Sequence, residues 1–112
     1  MSAPDGTLLV FTNLPDHDAA VALARALVDR RLAACVNVLG AATSIYRWRQ
    51  TVETAQEVPL LIKTRASLYA AVEAAIRELH PYELPEIIAV PVERGLPQYL
   101  QWVLAETTAI AS

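Results

Sequence analysis

His80, Tyr82, Glu83 and Glu86 fall within the seven residues HPYELPE. An imidazole beside carboxylates suits borderline divalent ions, and copper ranks above zinc and nickel at any such N/O site. The spacing matches no recognised metal signature. The same stretch also reads as a rigid connector. His80 would then sit at a helix C-terminus, favourable to the dipole, with Pro81 and Pro85 fixing the path. Cys35 is the only cysteine of the chain. A thiolate is a soft ligand for Cu(I), but one thiol closes no site alone. Cys is also among the most often buried residue types, so a small core residue at a strand start is the simpler expectation. The metal reading is therefore His80 with Glu83 or Glu86, joined by Cys35 only where it is exposed and reduced. Copper or another divalent cation would be bound weakly and would not be required for folding. His17 falls in a helix first turn and is expected in solvent.

The remaining chemistry is thin. No nucleophile and base lie near each other in the sequence, and three glycines in the whole chain leave little room for a phosphate-binding loop. A non-enzymatic protein is expected. The net charge of −3 supplies no field for nucleic acid or an anionic membrane. Arg47 and Arg49 alternate with Tyr46 and Trp48, as a base-stacking surface would need, but the chain as a whole is acidic. No apolar run approaches the ~20 residues that span a bilayer. The opening MSAPDGTLLVFTN lacks a basic segment, a long apolar stretch and a small-residue cleavage site, so a cytoplasmic protein is expected.

These residues must be positioned by one domain over 1–112, which suits the length. TLLVFTN (Thr7–Asn13) reads as a buried strand. PDHDAAVALARALVDRRLA reads as a helix, started by Pro15 and Asp16 with an apolar stripe of Ala20, Leu23, Ala24 and Leu27. AACVNVLGAATSIYRWRQ is strand-like with a break at Gly40, where a bulge is expected. From Thr43 it alternates, with Ser44, Tyr46 and Trp48 on one face. TVETAQEVPLLIKT returns as the second arm of a hairpin turning at Arg49–Thr51, and Pro59 suggests an edge position or a bulge. SLYAAVEAAIRELH is a helix with Ser67 as its cap. Ile87–Val92 is a fourth strand, and LPQYLQWVLAETT a last helix. The class is α+β. The order β-α-β-β-α-β plus a C-terminal helix gives a ferredoxin-like antiparallel sheet with a long β-hairpin. Val52–Thr64 extends on the order of 40 Å at ~3.3 Å per residue, whereas Leu68–Leu79 covers only about 18 Å as a helix. Ile45, Tyr46, Trp48 and Val52 lie on the uncovered part, so a partner subunit is expected there. The apolar fraction of 54% is high enough to support that expectation.

RLAACVNV, TSIYRW, EVPLLIKT, HPYELPEI and YLQW occur in this order between about Leu8 and Trp102, and together they resemble the CutA divalent-cation-tolerance family. The resemblance implies a ferredoxin-like subunit and a tight homotrimer whose hairpins pair between subunits. It also implies a link to tolerance of copper and other divalent cations. The alternative it raises is a PII-like small-molecule sensor with ligand clefts between subunits and an unidentified downstream partner. Tyr46, Trp48, Glu57, Lys63, Tyr82 and Trp102 are the residues expected at such a cleft or interface. Three features depart from the family pattern. Gln50 stands where Gly is usual, which predicts a turn with no need of Gly. Pro59 interrupts a run normally free of Pro, and Cys35 alone remains of the cysteines linked to copper in some members.

Overall fold

The computed structural model describes residues 5–107. Its elements are β1 (Thr7–Leu14), α1 (His17–Asp29), β2 (Cys35–Val38), β3 (Ala42–Trp48), β4 (Thr51–Arg65), α2 (Tyr69–Leu79), β5 (Ile88–Pro91) and α3 (Pro97–Glu106). The expected second strand is split into β2 and β3, and both pair with the long β4. The sheet order is β2-β4-β1-β5, with β3 continuing beside the outer half of β4. All pairings are antiparallel. This is the ferredoxin-like arrangement read from the sequence.

Alternation decides the two faces of the sheet. Val10 and Leu14 of β1 and Val58, Leu60 and Ile62 of β4 point to one side, where Ala20, Leu23 and Leu27 of α1 and Val72, Ala75 and Ile76 of α2 close the core. Asp16 starts α1 as expected, its Oδ1 accepting from the Ala19 N–H at 2.8 Å. On the opposite face Leu9, Phe11 and Leu61 are only half-buried. α3 lies over that face, with Val103 and Thr107 fully buried.

The bulge expected near Gly40 is present as a count. Three residues, 39–41, separate Val38 from Ala42, while only Val58 and Pro59 separate their partners Glu57 and Leu60. Of the two readings of Pro59, the bulge is thus the one found: it sits not at an edge but in a strand paired on both sides, opposite Asn13 of β1 and facing the bulged stretch. The Pro59 carbonyl accepts from the Leu39 N–H at 3.0 Å. The N–H that Pro lacks would have pointed to the same side, into the bulged stretch of the neighbour, so no regular ladder bond is lost.

Two expectations are corrected. Ser67 does not cap α2; it lies in a 3-10 turn, Ala66–Leu68, ahead of it. Its N–H and hydroxyl donate instead to the carboxylate of Asp5, at 2.9 and 2.8 Å. The hairpin turn does use the conformation that Gly favours. Arg49 and Gln50 have φ of 52° and 70°, the two consecutive positive values of a two-residue type I′ turn. The strand twist demands that turn, and Gln50 adopts it at a conformational cost.

Candidate functional site

The uncovered hairpin and the connector from α2 to β5 face each other across a cleft of about 720 Å³. Asn13, Ser44, Ile45, Tyr46, Trp48 and Glu57 line one side, and Pro81, Tyr82, Glu83, Leu84 and Glu86 the other. Strand register explains the first group. Ala42 lies opposite Glu57, so Ser44, Tyr46 and Trp48 project on the Glu57 side of the sheet.

His80 anchors the other wall. It ends α2 and is buried. Its Nδ1 accepts from the Tyr82 N–H at 3.1 Å, so its Nε2–H donates to the Asn13 carbonyl at 2.5 Å. Both ring nitrogens are thus engaged, and the imidazole would have to give up one bond to take a metal. Its ring is also packed against Tyr82, with centroids 4.7 Å apart.

The carboxylates beside it diverge. Glu83 meets Arg49 Nη2 at 3.1 Å, and Glu86 accepts from Asn13 Nδ2 at 3.0 Å. Among the described residues no three of His, Cys, Asp and Glu are grouped so as to hold a metal ion. The donors His80, Glu83 and Glu86 therefore do not form a closed site within one chain.

Glu57 is the buried acid of the cleft, 9% exposed. Burial first, then the nearby Glu57 carboxylate, with smaller effects of Tyr46 and Asp16, push the Tyr82 phenol up to about 12. The cleft therefore carries a negative potential on aromatic walls. Arg49 adjoins it at the hairpin tip, its guanidinium 5.1 Å from the centre of the Trp48 ring.

Cys35 is elsewhere. It is half-buried on β2, not a core residue as first read. The reason is its place opposite Lys63 on the face under α3, where the Lys63 ammonium donates to its Sγ at 3.8 Å and to the Asn37 side chain. Burial first, then nearby Cys35, raises the pKa of the Tyr99 phenol on α3. Lys63 and Glu57 are six residues apart on one face of β4, about 20 Å at ~3.3 Å per residue, so they do not pair. Trp102 lies by a smaller cavity of about 250 Å³ between the end of α1 and α3, with Arg31 and Glu106. The expected interface residues thus divide into two groups. Tyr46, Trp48, Glu57 and Tyr82 share the cleft, while Lys63 and Trp102 lie apart from it. Sequence reading passed over Asn13, Ser44 and Arg49. The usable signal for Arg49 was its place next to Trp48 at the hairpin tip.

A family model described as CutA1 divalent ion tolerance protein matches residues 8–106. Protein CutA of Mus musculus is 43% identical over 109 residues, 97% of this chain and 62% of its own length. The chain thus spans about three fifths of the mammalian relatives that it matches. The divalent-cation tolerance protein CutA of Thermus thermophilus is 41% identical over 88% of this chain and 96% of its own. Among solved structures, CutA from Xylella fastidiosa superposes with a TM-score of 0.90 at 48% identity, covering 92% of this chain and 99% of that one.

Proposed function

Because the chain belongs to the CutA1 divalent ion tolerance family, we propose that it acts as a cytoplasmic homotrimer that responds to copper or a similar divalent cation by weak direct binding, without catalysing a reaction. The observation that carries the assembly is the bare hairpin. Ile45 and Val52 are 71% and 59% exposed, and Tyr46 and Trp48 stand half-exposed beside them. β1 pairs with β4 only as far as Val58, so that the β1 side of Thr51–Glu57 is an open edge within the chain. An apolar ribbon with unpaired backbone needs a cover, and hairpins pairing between copies provide one.

Weak binding follows from the donors. The carboxylates of Glu57, Glu83 and Glu86 face a roomy cleft and not a common point. A cation there keeps much of its water and adds little to folding. The test is calorimetric titration of chelator-treated protein with Cu(II), repeated on Glu83→Gln with Glu86→Gln and on Cys35→Ser. Weak saturable binding, reduced in the carboxylate double variant and intact in Cys35→Ser, is expected. No heat with wild type removes direct binding from the proposal, and unfolding on chelation removes metal-independent folding.

A second reading has support from the same cleft. Its volume is that of a small-molecule pocket, and the aromatic side chains of Tyr46, Trp48 and Tyr82 among polar neighbours suit an organic ligand. A sensor passing the signal to a partner would use it, and a thermal-shift screen against metabolites discriminates the two.

A further inference from the structure

We infer that the aromatic face of the β3–β4 hairpin seats on the α3 end of the next copy of the chain, so that Lys63, Tyr99 and Trp102 of that copy close the acidic cleft. This rests on the homotrimer reading and goes beyond it in naming the surface that meets the hairpin, which makes the cleft a site shared by two chains.

Symmetry sets the first condition. A patch that meets its own twin makes a twofold contact and stops at a dimer. A ring of three joins two different patches at every interface, one from each neighbour. The hairpin therefore needs a second surface to sit on. Backbone pairing closes the open edge of Thr51–Glu57, but it leaves the side chains of Tyr46 and Trp48, half-exposed on one face, still to be covered.

The second condition is a matching patch, and α3 carries it. Tyr99 and Trp102 stand exposed on one flank of that helix with ring centroids 5.5 Å apart, and Leu96 is exposed at its start. Aromatics of this kind supply the buried centres of interfaces. The two patches lie at opposite ends of the sheet. Trp48 is at the hairpin tip, opposite Thr51, whereas Arg65 at the far end of β4 bonds Thr107 and the Leu104 carbonyl of α3. Thr51–Arg65 extends on the order of 45 Å at ~3.3 Å per residue, so no chain lays its hairpin on its own α3. A head-to-tail contact between copies does so and closes into a ring.

The third condition is charge. Glu57, Glu83 and Glu86 line the cleft, and among the described residues only Glu83 of the three meets a cation of its own chain. Lys63 lies beside Cys35, close to Tyr99, and its ammonium donates to Asn37 and to the Cys35 Sγ. It pairs with no carboxylate among the described residues. A cation lacking a counter-charge on one patch and carboxylates lacking theirs on the other are complementary, and that fixes which end of one copy meets which end of the next.

The test is site-directed cross-linking in a Cys35→Ser background. Thr51→Cys places a thiol on the Trp48 side of the hairpin, and Gln98→Cys places one a turn before Trp102 on α3. Both positions are exposed, so both variants keep the fold. A short bismaleimide is applied to each variant alone and to the two after unfolding and refolding together. The mixture is expected to give a linked dimer and each variant alone none, while both cysteines in one chain give linked trimers. Thr51→Cys that links to itself, or a mixture that does not link, overturns the inference. Light scattering on the unlinked samples keeps the two claims apart: a trimer without mixed links refutes this contact and leaves the assembly standing, whereas a monomer refutes both. The charge has its own readout. Lys63→Glu should move trimer dissociation to about tenfold higher protein concentration, and Lys63→Met should move it less. An unchanged midpoint in Lys63→Glu removes Lys63 from the shared cleft.

Discussion

Replacing Asp5 with Asn should loosen the junction where the chain's beginning meets the end of β4 and the end of α3. The Asp5 carboxylate accepts from Arg65 Nη1 at 2.8 Å and from the Ser67 N–H and hydroxyl at 2.9 and 2.8 Å. Arg65 in turn donates to Thr107 Oγ1 and to the Leu104 carbonyl, so one guanidinium ties three segments together. Hydrogen bonds to a charged group are worth about 1.5–3 kcal/mol when sheltered. The Asp5 and Arg65 side chains are 24% and 19% exposed, so screening reduces the figure, and we expect Asp5→Asn to cost about 1–2 kcal/mol. Asn keeps the shape and loses the charge. The pH dependence carries a definite sign. Burial alone would raise the carboxyl's pKa, but the Ser67 bonds and Arg65 outweigh it and hold it below the ordinary 3.8. Its contribution is therefore complete above pH 3.8 and is lost as pH falls through the lower folded value. The assay is urea unfolding of wild type and Asp5→Asn at one fixed protein concentration, at neutral pH and at successively lower pH. The two curves should be separated near neutrality and converge in acid. Equal stability at neutral pH, or a gap that persists once the carboxyl is protonated, refutes the reasoning.

Other outcomes follow from single residues. Gln50→Gly should raise thermal stability by about 0.5–1 kcal/mol, the relief of a left-handed residue exceeding the entropy that Gly adds to the unfolded chain; a lower melting point would mean that the Gln50 side chain has a role of its own. Thr12 is 1% exposed with a hydroxyl that finds no partner among the described residues, so Thr12→Val should stabilise by about 1 kcal/mol in the same assay. His80→Ala should cost about 2–3 kcal/mol and leave copper binding largely unchanged, because both ring nitrogens serve the scaffold. Identical melting of His80→Ala and wild type would contradict that role. Trp48→Ala should weaken the assembly by over about 2 kcal/mol, more than Leu100→Ala, as aromatic anchors at interface centres do; sedimentation against concentration checks it.

Local signals in the sequence were enough for the helices and the hairpin. The Asp16 cap and the stripe Ala20, Leu23, Ala24 and Leu27 are written in adjacent residues, and each occupies its expected place. Ser44, Tyr46 and Trp48 alternate, so their common face could be read before their partners were known. What could not be read is set by distant pairings. Asp5 and Ser67 meet across 62 residues and displaced the expected cap. Glu57 meets Tyr82 only because the α2–β5 connector folds back over the hairpin root. The Gln50 turn was misread because its residue type suggested avoidance of positive φ, whereas the twist of the paired strands imposes it. Cys35 was misplaced for a comparable reason: a short strand at the sheet edge leaves its side chain under α3, beside Lys63, and outside the main core.

The central claim is that the bare hairpin is covered by other copies of the chain. Light scattering coupled to size exclusion at micromolar concentration tests it most directly. The account predicts a single species at three times the chain mass, and in Trp48→Ala a mass that falls on dilution. A wild-type protein that elutes as a monomer at every concentration tested would contradict it.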